Sequence, residues 1–321
     1  MPTEFDLIRR YFTRPAKRAL LGVGDDCALL APQPGMALAV STDMLVENRH
    51  FFADAEAAML GHKCLAVNLS DLAAMGASPR WATLALALPQ ADEVWIGKFA
   101  QGFFALADAF DIELVGGDTT RGPRTISITV MGEVPAESAL RRDGARAGDD
   151  VWLSGSTGDA ALGLAHLAGR VKLFDLALAH CLARLHTPVP CVALGLALRG
   201  LATSAIDVSD GLAADLGHIA ERSALSAEIR YAELPRSRAL AECADAALAA
   251  ECLLAGGDDY DLCFTAAASA RAAVEQKGRD VGLTVTRIGT MAAGEPGLVS
   301  VAGADGKPTR LERRGYDHFG I

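Results

Sequence analysis

Gly22-Val23-Gly24-Asp25-Asp26-Cys27-Ala28 places two glycines ahead of two adjacent carboxylates, with Leu20, Leu21, Leu29 and Leu30 on either side. Taken alone it reads as an ordinary turn, because Gly admits unusual backbone angles and Asp bonds its own backbone. Its company changes that reading. Asp-centred punctuation recurs at Ser41-Thr42-Asp43, Ser70-Asp71, Gly116-Gly117-Asp118, Asp207-Val208-Ser209-Asp210-Gly211 and Gly256-Gly257-Asp258-Asp259. Adjacent side chains of an extended segment point to opposite sides, so Asp25 and Asp26 do not serve one face. Asp26 is the expected ligand-binding acid, and Asp25 the one that bonds nearby backbone.

The chain around this segment has 321 residues, 51% of them hydrophobic, enough for two domains with their own cores. No uninterrupted apolar run reaches the roughly 18 residues of a membrane span. Glu4 and Asp6 stand where a secretory leader would be basic, so a cytoplasmic protein is expected. Seven cysteines without a Cys-x-x-Cys read as small buried hydrophobes in a reducing compartment. With 30 basic against 40 acidic residues and a net charge of −10, a nucleic-acid binder working by phosphate neutralisation is disfavoured. An acidic protein acting on a phosphate ester needs local positive charge, and divalent metal supplies it most simply.

Along the chain, apolar spacing predicts a helix over 4–12 capped by Thr3, a buried strand over 36–43 and a helix over 55–75 stopped by Gly76. A strand over 81–88, a long helix over 92–110, a short strand over 112–115 and a strand over 125–134 follow. Polar punctuation falls at strand ends, where side chains are rigidly held yet open onto a cleft. Pro, Gly and charged residues cluster over 134–149, which reads as a boundary. Beyond it come a strand over 151–154 and a helix to Ala168 capped by Thr157-Gly158-Asp159. Helical patterns over 172–185 and 190–201, a strand and polar turn over 204–211, and a helix over 212–222 follow. Apolar runs ending in Gly-Gly-Asp at 116–118 and 256–258 hint that the halves are alike. The whole is a mixed α/β (α+β) chain.

Familiar nucleotide signatures are missing: there is no G-x-x-x-x-G-K-[ST], and Gly22-Val23-Gly24 lacks the later glycine of a dinucleotide fingerprint. Scattered histidines without paired spacing disfavour zinc. Oxygen chemistry remains. Asp26, Asp43, Asp71, Asp118, Asp207 and Asp210, with the hydroxyls of Ser41 and Thr42, are donors of the kind that hard cations such as Mg²⁺ take, shared with water and phosphate.

The segments Gly-Val-Gly-Asp-Asp-Cys-Ala (22–28), Ser-Thr-Asp-Met-Leu-Val-Glu-Asn-Arg-His (41–50) and Ala-Val-Asn-Leu-Ser-Asp-Leu-Ala-Ala-Met-Gly-Ala (66–77) carry a resemblance. So do Gly-Gly-Asp-Thr-Thr-Arg-Gly (116–122), Asp-Val-Ser-Asp-Gly-Leu (207–212) and Gly-Tyr-Asp-His-Phe (315–319). In this order the chain resembles the thiamine-monophosphate kinase family, from Phe5 to Phe319. The resemblance implies the two-domain fold of the aminoimidazole-ribonucleotide-synthetase-like superfamily. It divides the chain into an N-terminal domain over 1–137, carrying an ATP and metal site and pairing its strands across a homodimer into a barrel, and a C-terminal α/β domain over 138–321. It implies that ATP and thiamine monophosphate give ADP and thiamine diphosphate, with several Mg²⁺ ions and K⁺.

Residue by residue, the resemblance puts Asp26, Ser41, Thr42, Asp43, Asp71, Asp118, Asp207 and Asp210 at metal-binding positions. It puts Gly117, Asp118, Arg142 and Ser209 against ATP, and His50, Asp258 and Tyr316 against the thiamine phosphate. A guanidinium suits phosphate oxygens, an acid suits a cationic thiazolium, and a tyrosine ring can stack. Asp258 stands where relatives carry Glu. A phosphate monoester has a second pKa of about 6, so it is already a dianionic nucleophile and no catalytic base is expected. The enzyme-class rival is aminoimidazole ribonucleotide synthetase, against which segments 41–50 and 315–319 argue. A non-catalytic nucleotide-binding maturation factor is the rival of another class. Cys27 reads as a small core residue rather than a nucleophile, and Trp81, Trp95 and Trp152 as core.

Overall fold

A computed structural model of the chain describes residues 2–303, 308–310 and 315–316; Asp317, His318 and Phe319 of the last motif lie outside the described residues. The chain divides into two compact units, Met1–Leu72 with Ala77–Glu137, and Ala73–Gly76 with Ser138–Ile321.

The first unit opens with α1 (Glu4–Leu7), capped by Thr3 in a reciprocal box with Asp6, and continues as a π turn over Ile8–Phe12. Then come β1 (Met36–Val46), α2 (Ala57–Ala74), β2 (Ser78–Leu88), α3 (Glu93–Ala109), β3 (Glu113–Arg121) and β4 (Thr125–Pro135). The four strands form one sheet in the order β1-β4-β2-β3. Only the β2/β3 pair is parallel, and α3 makes its crossover, as parallel neighbours require. Leu84, Leu86, Ile126, Ile128 and Val130 of the sheet are buried, as are Leu65, Leu69 and Leu72 of α2 and Phe99 and Phe103 of α3.

The two helices meet at backbone level. A Cβ on Gly102 would lie 1.8 Å from the Ala58 carbonyl oxygen, and one on Gly61 would lie 2.1 Å from that of Phe99.

Five expectations are corrected here. The strand at 36–43 is longer and is not buried on both faces: Leu38, Val40, Thr42 and Met44 point outward while the residues between them turn in. Gly116-Gly117-Asp118-Thr119-Thr120 is not a loop but the second half of β3. Gly117 makes that possible, since at φ +151° a Cβ there would lie 1.9 Å from the Leu84 carbonyl oxygen of the neighbouring strand. The apolar run before Gly256 is a helix, unlike the strand before Gly116, so the two Gly-Gly-Asp segments are not structural counterparts. Trp81 and Trp152 are buried, whereas Trp95 is half-buried with the Arg124 guanidinium 5.0 Å above its ring. Cys27 is exposed, against the reading of a core thiol.

The second unit runs β5 (Asp150–Ser154), α4 (Asp159–Leu167), α5 (Asp175–His186), α6 (Val192–Ala197), β6 (Ser204–Asp207), α7 (Leu212–Arg222) and β7 (Ser226–Arg230). It continues with α8 (Arg238–Ala241), α9 (Ala246–Ala255), β8 (Leu262–Ala266), α10 (Arg271–Asp280), β9 (Val285–Ala292), β10 (Val299–Ala302) and β11 (Pro308–Arg310). Its sheet has the order β11-β10-β7-β9-β5-β8-β6. Leu162 of α4, Leu212, Leu216 and Ile219 of α7, Leu253 of α9 and Ile229 of β7 share one core. Among the described residues no helix is long and apolar enough to cross a membrane.

Because α2 and α3 touch through backbone, Gly102→Ala is expected to destabilise the protein by about 2 kcal/mol or more. The measurement is urea unfolding, where the midpoint falls at unchanged slope; an unshifted midpoint would show that the helices part at no cost.

Candidate functional site

The opening segment is a loop closed by backbone bonds between Leu21 and Leu29, with Asp25 and Asp26 both exposed on it. Asp25 Oδ1 accepts the Asp26 N–H at 2.9 Å, the local backbone bond expected of it. Asp26, like Asp25, is exposed.

On β1 the pleat separates the three neighbouring candidates. Ser41 and Asp43 face α2: the Ser41 hydroxyl donates to Asp71 Oδ2 at 2.5 Å, and the Asp43 N–H donates to Asn68 Oδ1 at 3.0 Å. Asn68, fully buried, is itself tied to the Cys64 carbonyl at 3.0 Å, so helix and strand are locked in register. Thr42 points the other way, its hydroxyl 2.8 Å from that of Thr129 on β4. Ser41, Asp43 and Asp71 are thus brought together, and Thr42 is not. His50 follows β1 in a tight turn and accepts the Val46 N–H on Nδ1 at 3.0 Å, which leaves the proton of a neutral ring on Nε2. Gly117 and Asp118 are exposed on β3, Asp118 paired with Ala85 of β2.

In the second unit three separated stretches are sewn together by main-chain bonds. Asp258 N donates to the Ser209 carbonyl at 2.9 Å, Tyr260 N to that of Val208 at 2.8 Å, and Tyr316 N to that of Asp210 at 2.9 Å. A Cβ on Gly257 would lie 2.3 Å from the Ser209 oxygen, so this approach needs glycine. Asp207, Ser209, Asp210, Asp258 and Tyr316 are therefore neighbours, although they span more than a third of the chain. Arg142 is exposed at the edge of this unit, its carbonyl accepting from the Ser223 hydroxyl at 3.0 Å. Arg141 is instead paired with Asp143 through two bonds of 2.9 and 2.5 Å.

Buried acids that the sequence did not single out hold these loops. Asp215 on α7 accepts three N–H groups, from Ser209, Asp210 and Gly211, each at 3.1 Å. Burial, then the nearby Asp210 charge, pushes its carboxyl up to about 7 despite those donors. Asp259, fully buried, accepts the Gly158 N–H with both oxygens at 2.9 and 2.8 Å, so α4 is held at its start by a distant carboxylate. The expected cap from Thr157-Gly158-Asp159 is absent. Thr157 donates to the Leu253 carbonyl at 3.0 Å, and Asp159 accepts from Ser237 and pairs with His180. Asp261 accepts from Ser154 at 2.8 Å and from Arg184, whose guanidinium also reaches the Asp259 carbonyl at 3.1 Å. Burial holds the carboxyls of both Asp259 and Asp261 above the usual range.

Residues 24–134 match the AIR synthase related protein, N-terminal domain, and residues 146–301 the AIR synthase related protein, C-terminal domain. The thiamine-monophosphate kinase of Escherichia coli (strain K12) is 47% identical over 320 residues, covering 98% of each chain. The chain belongs to the thiamine-monophosphate kinase family.

Its fold agrees with solved members of that family. The thiamine-monophosphate kinase of Stenotrophomonas maltophilia K279a superposes with a TM-score of 0.84 at 50% identity, covering 91% of this chain and 92% of the other. AaThiL complexed with AMPPCP and TMP superposes with a TM-score of 0.78 at 30% identity, covering 90% and 89%. Members of the thiamine-monophosphate kinase family are kinases, and this chain is an enzyme of that class.

Of the positioning residues, Asp215 and Asp259 carried only a weak signal, an acid close after or within a Gly-Asp turn. Arg184 carried none, because Asp259 and Asp261, which it grips, lie 75 and 77 positions away.

The raised carboxyl of Asp215 gives a testable sign. Free in the unfolded chain it ionises near 3.8, folded at about 7, so its stabilisation is complete below the first value and lost as pH rises through the second. In metal-free protein, the wild type is expected to lose stability relative to Asp215→Asn between about pH 4 and 7, by at most about 1.4 kcal/mol per unit. Chemical denaturation at several pH values reads this out; parallel profiles for the two proteins would contradict it.

Proposed function

We propose that this chain transfers the γ-phosphoryl group of ATP directly to the phosphate of thiamine monophosphate, giving thiamine diphosphate and ADP without a covalent enzyme intermediate. The observation that carries this reading is the main-chain stitching of 207–211 to Asp258 and Tyr316. It brings Asp258 and Tyr316, candidates for the thiamine side, beside Ser209 and Asp210, candidates for ATP and metal. The family's printed substrate and the complex of AaThiL with AMPPCP and TMP support it.

In this reading Asp26, Ser41, Thr42, Asp43, Asp71, Asp118, Asp207 and Asp210 are the oxygen donors for Mg²⁺, with K⁺ as an accompanying cation. Among the described residues no three His, Cys, Asp or Glu side chains converge into a ready cage. Mg²⁺ is commonly held by one or two carboxylates together with substrate phosphates and water. When bound, Mg²⁺ supplies the positive charge between phosphate oxygens that an acidic protein lacks.

The protein's own residues hold and orient. The hydroxyl of Ser41 fixes the Asp71 carboxylate, and Asn68 fixes the β1 backbone at Asp43. Gly117, Asp118, Arg142 and Ser209 are assigned to ATP. Arg142 takes this role better than Arg141, whose guanidinium Asp143 already engages. His50, its Nδ1 engaged by the Val46 N–H, is assigned to the thiamine-phosphate side, where Asp258 offers its charge to the thiazolium and Tyr316 its exposed ring. No general base is needed, because the acceptor phosphate is already an anion at neutral pH. Catalysis then rests on alignment of acceptor and donor.

We assign the ATP and metal donors of 1–137, together with a dimer contact, to one domain and the remaining site residues to 138–321. The outward face of β1, with Val40 58% and Met44 57% exposed, is proposed to be covered by a second copy that closes the sheet into a barrel. Val40→Glu is then expected to shift the mass in sedimentation equilibrium from dimer to monomer; an unchanged mass would count against that face. The free thiols suit a reducing cytoplasm.

The reaction is tested by incubating the protein with Mg-ATP and either thiamine monophosphate or free thiamine, and separating the products. Thiamine diphosphate is expected from the monophosphate alone, and Asp43→Asn is expected to lower turnover at least about 100-fold with the thermal midpoint nearly unchanged. No thiamine diphosphate from the wild type would refute the reading, and activity retained by Asp43→Asn would remove Asp43 from the donor set.

A further inference from the structure

We infer that Tyr260 is a positioning residue that sets the Asp258 carboxylate toward the cationic heteroaromatic part of the acceptor. The inference rests on the thiamine monophosphate reading above. The Tyr260 hydroxyl donates to Asp258 Oδ1 at 2.9 Å. The two residues flank Asp259 in an unusual backbone: φ is +67° at Asp258 and +57° at Tyr260. Asp tolerates the left-handed region, but for a bulky ring it is a true outlier, kept only where the surroundings over-determine it.

Those surroundings are on both sides of the loop. Asp258 N and Tyr260 N are bound by the carbonyls of Ser209 and Val208. The Asp259 side chain is driven inward onto Gly158 N, and Arg184 grips the Asp259 carbonyl. With Asp259 fully buried, Asp258 and Tyr260 emerge half-buried. The strained backbone thus serves to place a phenol within reach of a carboxylate two residues away. With the main chain fixed at both residues, the phenol bond bears directly on the orientation of the Asp258 carboxylate.

A neutral donor is suited to this task. It orients the carboxylate and leaves its negative charge in place for a cation, whereas Arg or Lys at the same point would cancel that charge. Ordering the side chain in advance removes a cost that the ligand would otherwise meet on binding.

The test is steady-state kinetics of Tyr260→Phe, Asp258→Asn and the double variant, beside the wild type. Tyr260→Phe keeps the ring and is expected to raise KM for thiamine monophosphate about tenfold, with kcat and KM for ATP within about twofold. Asp258→Asn is expected to raise the same constant at least as much, and adding Tyr260→Phe to it is expected to change nothing further, since the phenol acts through the carboxylate. An unchanged KM in Tyr260→Phe overturns the inference, and so do multiplicative effects in the double variant. If Tyr260→Phe were to unfold, Asp258→Asn still decides, because an unchanged KM there would leave Tyr260 nothing to position. A wild type that makes no thiamine diphosphate would instead refute the reaction itself.

Discussion

A carboxylate buried beneath a loop, collecting backbone N–H groups that water cannot reach, is the interaction on which the second unit depends. Asp215 does this for 209–211 and Asp259 for Gly158. Turns that lay candidate side chains open to a ligand must bend sharply, and bending leaves N–H groups pointing inward. An unpaired buried donor costs about 1–3 kcal/mol, so such turns persist only with an acceptor below them. Their carboxyls sit above the usual range because burial penalises the charge, a cost borne for the sake of loop shape. Site geometry here is set from beneath, by residues that need not touch any ligand.

In the first unit the pleat of β1 does the corresponding work. A strand offers its residues alternately to two faces, and β1 uses both. Ser41 and Asp43 turn toward α2, where Asp71 and Asn68 meet them, while Thr42 and its apolar neighbours Val40 and Met44 turn outward. The helix layer on the inner face is tight because Gly61 and Gly102 let α2 and α3 touch through backbone. A tightly seated α2 fixes the height of Asp71 against Ser41.

Much of this was legible in the sequence, for a local reason in each case. Helical spacing located α3 and Gly76 ended α2, whereas of the Gly/Asp punctuation only that at Asp207 falls at a strand end, Ser41–Asp43 and Gly116–Asp118 lying within β1 and β3. The resemblance in six ordered segments supplied what spacing could not, the pairing of distant acids into one chemistry. What stayed hidden was long-range. Gly117 allows β3 to run on through a Gly-Gly-Asp that reads as a turn, because the deciding contact is the Leu84 carbonyl of another strand. The cap of α4 could not be foreseen from Thr157 and Asp159, since Asp259 arrives from about 100 residues away. Cys27 reads as core by residue type, yet it follows two acids on an exposed loop, and the loop decides.

The spread of the acids over many short stretches has a physical logic of its own. Carboxylates gathered into one cage without a cation would repel one another and destabilise the empty protein. Distributed along the chain, some of them are hydrogen-bonded before any ligand arrives, as Asp71 is by Ser41 and Asp258 by Tyr260. In the proposed reaction a cation would be shared between such carboxylates and phosphate oxygens. That sharing would couple metal affinity to the presence of nucleotide and acceptor. On the proposed reading the net charge of −10 is no obstacle to acting on polyanions, because carboxylates that share cations with phosphate offset the repulsion.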